Sequence, residues 1–130
     1  MNTKLYRVII QVSDIEAAVN FYGQLFEQDG ERVSSGRHYF NCGGVILACV
    51  DPAADGDDHV SRSNPDHVYL AVSDLETLFE RIQRLACEWL EPAIEIRPWG
   101  ERSFYAKDPF GNPLCFVDES TVFSGGLFEA

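Results

Sequence analysis

The sequence predicts an α+β protein built from two tandem βαβββ modules, and two internal echoes carry that prediction. Arg7 opens RVIIQVSDIEAAVNFYGQLF and His67 opens HVYLAVSDLETLFERIQRL; Gly44 opens GVILACVD and Gly111 opens GNPLCFVD. The first pair is offset by 60 positions and the second by 67, so the second copy holds an extra turn or loop. Such a repeat sets the architecture ahead of any single motif, because each copy is one unit that cannot bury its apolar face alone. The third observation is length: 130 residues supply one real core, and neither half is comfortable by itself.

The elements follow in chain order. Residues 4–12 read as a strand in which Val8, Ile10 and Val12 alternate against Arg7, Ile9 and Gln11. Ser13 or Asp14 caps a helix over 15–27, with Ile15, Ala18, Val19, Tyr22 and Phe26 at helical spacing, and Asp29-Gly30 ends it. Strands are expected near 31–35, 37–42 and 44–50, separated by turns at Ser35-Gly36 and Gly43-Gly44. The acidic, proline-containing stretch 51–66 reads as a linker between module one (about 4–50) and module two (about 67–120), the whole forming a single domain over 1–130. Module two repeats the order as strand 67–72, helix 74–87 and strands near 92–97, 102–107 and 113–118. Asp108-Pro109 and Gly111-Asn112 are turn chemistry before the last strand. The tail 121–130 carries Phe123, Leu127 and Phe128, apolar for a free end and suited to an edge or a partner contact.

Bulk properties narrow the function. A net charge of −11 argues against nucleic acid, whose phosphates would be repelled. No apolar run of about 18 residues exists to span a membrane, and the N-terminus does not read as a signal peptide. Cys42, Cys49, Cys87 and Cys115 form no CxxC pair, so reduced thiols in the cytoplasm are the expectation.

The stretches VSDIEAAVNFYGQLF, DHVYLAVSDL and RPWGERSFYAKDPFGNPLCFVDE together resemble the vicinal oxygen chelate superfamily, which includes glyoxalase I, extradiol dioxygenases, fosfomycin-resistance enzymes and bleomycin-resistance proteins. The resemblance covers nearly the whole chain, and the last stretch is particularly similar to the bleomycin-resistance branch. It implies a concave ligand cavity between sheets and a homodimer. It also implies where a metal would bind in metal-dependent members. One ligand is a His or Gln seven residues before the Asp of Val-x-Asp, and another is a Glu four residues after the turn glycine of the last strand. Those four positions here are Arg7, Ala48, His67 and Cys115. Arg7 is a permanent cation that cannot ligate and would repel a neighbouring ion, and Ala48 has no donor. No catalytic metal and no cofactor is therefore expected; His38, His59, Glu95 and Glu101 lie away from these positions.

If the same strand faces still look inward, the ligand-lining set is Arg7, Ile9, Gln11, Ala48, His67, Tyr69, Trp99, Phe104 and Cys115. Only one of Phe104 and Tyr105 can face the cavity. Arg7 either forks onto an anionic ligand group or pairs with a protein carboxylate. Trp99 either lies over a planar ligand or covers the sheet edge. Cys115 near Arg7 and His67 is a minor candidate for an activated thiol. The expected function is metal-free binding of a small, partly aromatic ligand, as antibiotic-resistance members do. The alternative is a lyase, isomerase or dioxygenase using a relocated metal, or His67 as base with Arg7 stabilising an oxyanion.

Overall fold

In the computed structural model, which describes residues 1–125, the repeat is visible strand for strand. Module one runs β1 (Arg7–Gln11), α1 (Ile15–Phe26), β2 (Glu31–Ser34), β3 (Arg37–Cys42) and β4 (Val45–Val50). Module two runs β5 (Val68–Val72), α2 (Leu75–Ile82), the short β6 (Trp89–Leu90) and β7 (Glu95–Ile96), β8 (Arg102–Lys107) and β9 (Pro113–Asp118), then a 3-10 turn over Glu119–Thr121. The sheet orders are β1-β4-β3-β2 and β5-β9-β8-β6, with β7 also on β8. β1 lies parallel to β4 and β5 parallel to β9. The pair Val8–Leu47 becomes Val68–Leu114, and Gln11–Val50 becomes Ala71–Val117, which reproduces the two sequence offsets in the hydrogen-bond register.

Both helices start as expected. The Asp14 carboxylate accepts the Ala17 N–H and the Asp74 carboxylate accepts the Thr77 N–H, filling orphan donors of the first turn. Two boundaries differ from expectation. α2 stops at Ile82 rather than near 87, because the chain tightens into i→i−3 bonds from Arg84 to Arg81 and from Leu85 to Ile82. The strand expected at 92–97 is split, since Pro92 has no N–H to give and the Glu91 side chain accepts the Tyr105 N–H that a strand residue would otherwise meet.

One apolar core joins the modules on the helix side of both sheets. Ile10, Val12, Tyr22, Leu25, Phe40 and Leu47 meet Leu75, Leu78, Ile82, Phe104, Leu114 and Phe116. Each such side chain contributes about 1.5–3 kcal/mol by leaving water. A polar rivet crosses that core. The Tyr22 hydroxyl donates to Asp108 Oδ2 at 2.6 Å, and burial with the Asp108 charge holds the phenol well above its usual range. Asp108 also accepts the N–H groups of Phe110 and Asn112 and the Asn112 side-chain amide. Asn112 reaches on to the Gln11 carbonyl at 2.8 Å and accepts the Asn64 N–H. Gly111, at φ 84°, supplies the left-handed residue that folds this turn back on itself.

Candidate functional site

With the helices packed on one side, alternation sends the other set of side chains to the opposite faces. On module one that face carries Arg7, Ile9 and Gln11 from β1, Ile46, Ala48 and Val50 from β4, and Arg37 and Tyr39 from β3. On module two it carries Tyr69 and Ala71, Pro113, Cys115 and Val117, Ser103 and Tyr105. Register makes Tyr39 and Tyr105 counterparts: one stands across from Ala48, the other across from Cys115.

On module one, Arg7 Nη1 donates to the Tyr39 hydroxyl at 2.7 Å and Arg37 Nη1 donates to the same oxygen at 2.9 Å. Arg7 also lies 4.9 Å from the Tyr6 ring centroid. Neither arginine meets a carboxylate among the described residues. Burial alone raises the Tyr39 phenol, but the two guanidinium bonds outweigh it and the net shift is downward.

Module two is arranged differently. Arg97 forks onto Glu91, bonds the Ser103 hydroxyl at 2.9 Å and sits 4.6 Å above the Tyr105 ring. His67 meets Tyr105 edge to face at 4.8 Å between centroids. Tyr105 is pushed up to about 12, by burial first and then by its hydrogen bond with Tyr69. Trp99, 60% exposed, donates its indole N–H to Glu101 and lines an open cleft of about 440 Å³ with Tyr69, Ala71, Val117 and Val122. A second cleft, of about 840 Å³, opens between the β5 edge and the C-terminal end of α1, lined by Leu25, Phe26, Leu70 and Leu78. Neither cleft is lined by Arg7, Gln11, His67 or Cys115.

The structure thus sorts the expected lining residues. Arg7, Ile9, Gln11, His67, Tyr69 and Trp99 are accessible on the two non-helical faces. Phe104 is a correction: it is fully buried on the helix side, stacked on Phe116 and edge-on to Phe79, and Tyr105 takes the outward place. Ala48 and Cys115 point the expected way but are buried beneath their neighbours. Burial raises the Cys115 thiol, which argues against an activated nucleophile. Of the apolar tail, Phe123 is exposed, while Leu127 and Phe128 lie outside the described residues. The shared core holds the helix sides of the modules together, and Ile9 and Tyr69 remain 42% and 56% exposed on the non-helical faces. Arg37, Tyr39, Glu91 and Arg97 were missed; the alternation of Arg37, Tyr39 and Asn41 against His38, Phe40 and Cys42 was the available signal.

The two βαβββ modules, with registers repeating at both offsets, prepare the assignment. The family model for the Glyoxalase/Bleomycin resistance protein/Dioxygenase superfamily matches residues 4–116. The chain belongs to this superfamily. Among solved structures, a glyoxalase-related enzyme from Fulvimarina pelagi is similar at 19% identity with a TM-score of 0.75, covering 96% of this chain and 94% of its own. A glyoxalase/bleomycin resistance protein from Albidiferax ferrireducens T118 gives 17% and 0.73, covering 86% and 95%. A structure described as lactoylglutathione lyase from Agrobacterium tumefaciens gives 19% and 0.69, covering 99% and 98%. No curated protein matches significantly by sequence. At these identities the solved structures speak for the fold alone.

The residues of this superfamily member do not fit the metal that the resemblance implies for metal-dependent members. Arg7 is engaged with a phenol, Ala48 offers no donor, and Cys115 is buried with its thiol pKa raised by desolvation. No three His, Cys, Asp or Glu side chains converge as a metal site among the described residues. No helix of the described chain is long and apolar enough to cross a membrane.

Proposed function

We propose that this superfamily member is a metal-free binding protein for a small, partly aromatic molecule. The observation that carries the reading is the replacement of donor positions by a guanidinium and a methyl group, on faces that still present aromatic and polar side chains. Tyr69 and Trp99 beside Ala71 and Val117 offer a shelf for a flat apolar body. A homodimer fits the same reading: each module leaves its non-helical face open, and a second copy would supply the opposing wall. The lyase, isomerase or dioxygenase alternative gains no specific support, since His67 is exposed and has no hydrogen-bonded partner to orient it among the described residues.

The test is a thermal-shift screen of aromatic acids and amides with and without EDTA. At least one compound is expected to raise the melting temperature equally in both conditions, because binding to the native state stabilises it. Stoichiometric metal in untagged protein, or stabilisation that EDTA abolishes, would overturn the reading.

A further inference from the structure

The chain carries 21 acidic against 10 basic residues, so a half-buried arginine without a carboxylate is unexpected. Arg32, Arg81, Arg97 and Arg102 all pair with Asp or Glu. Arg62 and Arg84 are out in solvent. Among the described residues Arg7 and Arg37 pair with no carboxylate, and neither is fully solvated: both are half-buried, and both converge on Tyr39. Two like charges brought to one oxygen repel each other, and an anion between them would remove that repulsion.

The donor geometry favours an oxyanion. Each guanidinium spends one N–H on the phenol, leaving most of its five donors. The phenol oxygen accepts from both arginines, so its own proton is directed away from them and can be given to a third acceptor. Ala48 and Val50, both buried, stand across from Tyr39 and Arg37 on the central strand, with Ile9 and Gln11 beyond them on β1, and a poorly hydrated floor strengthens charge-assisted bonds. Glu31, directly across from Tyr39 on β2, is exposed and pairs with neither arginine.

We infer that Arg7, Arg37 and Tyr39 form a binding site for an oxyanion, a carboxylate or a phosphate. The inference rests on the reading above for the rest of the ligand.

The experiment is a titration of the full ¹⁵N-labelled chain, following the arginine Nε–H signals and the indole signal of Trp99. The probes are benzoate, inorganic phosphate and neutral benzamide. Benzoate or phosphate is expected to shift the Arg7 and Arg37 signals saturably, and benzamide is not. Whichever anion acts alone identifies the source as carboxylate or phosphate. Arg7→Gln and Arg37→Gln should each weaken anion binding about tenfold or more, as loss of a charge-assisted bond predicts. Arg37→Lys keeps the charge and loses the fork, and should fall between. Unmoved arginine signals with both anions, or affinity unchanged in both glutamine variants, would overturn the site. The wild-type contrast of benzoate with benzamide needs no variant to fold. If benzamide moves Trp99 while no anion moves the arginines, the anion site fails and the aromatic reading stands. Anions moving the arginines while no aromatic probe moves Trp99 is the reverse result.

Discussion

Tyr39 and Tyr105 hold equivalent places in the two modules, yet one faces bare cations and the other faces a neutralised one. Around Tyr39, Arg7 and Arg37 are without carboxylates among the described residues. Around Tyr105, Arg97 is locked to Glu91, whose side chains are only 13% and 17% exposed. The turns that precede the last strands differ as well. Asp108 and Asn112 in module two are bonded into the other module, whereas their counterparts in module one are Asn41 and Val45. The Asn41 side chain closes its own hairpin by accepting the Gly44 N–H. The two modules share one strand register, yet module two carries an internally cancelled charge, while in module one both arginines meet no carboxylate among the described residues.

The largest test of this division is at the junction. Asp108→Ala should cost about 3–5 kcal/mol in urea unfolding, because it leaves the buried Tyr22 hydroxyl and the turn N–H groups without their acceptor. Asn41→Ala, at the equivalent position, should cost less than about 1 kcal/mol, since its bond is exposed. Equal losses would break the comparison.

The next test exchanges charges. Glu91→Ala should destabilise by about 2–4 kcal/mol, stranding the Arg97 guanidinium and the Tyr105 N–H. Arg37→Ala should change stability by no more than about 0.5 kcal/mol, because its cation serves no partner that the fold needs. A large loss in Arg37→Ala would make Arg37 structural.

The smallest effect is spectroscopic and sharpens the contrast between the two tyrosines. A lowered phenol holds its proton less tightly, so Tyr39 should ionise below the ordinary value of 10.0, while Tyr105 should remain protonated until about 12. In a phenolate absorbance titration, Tyr39→Phe should remove the earliest step and Tyr105→Phe a late one. Loss of the early step in Tyr105→Phe instead would reverse the assignment.

Much of the architecture was legible from local signals. The period-two alternation of Val8, Ile10 and Val12, the helical spacing of Ile15, Ala18 and Tyr22, and the caps at Asp14 and Asp74 all act within a few residues and all appear in the structure. The candidate site was legible in part: Arg7, Gln11 and Tyr69 lie on the non-helical faces because strand alternation requires it. Phe104 was misplaced because alternation gives two answers until one face is covered, and the packing of Phe79 and Phe116 covers the Phe104 side. The turn Asp108–Asn112 read as local chemistry, yet its side chains tie together residues as distant as Tyr22 and Gln11.

By itself, then, the sequence determined the duplicated modules and their order, since each depends on residue type at a known spacing. Only the tertiary structure decided which charges are cancelled. Arg97 and Glu91 meet because the segments on either side of Pro92 run beside the same strand, β8, while Arg7 and Arg37 converge because β3 and β1 flank the same central strand. Charge pairing is set by distances across strands far apart in sequence, and no local pattern encodes those distances.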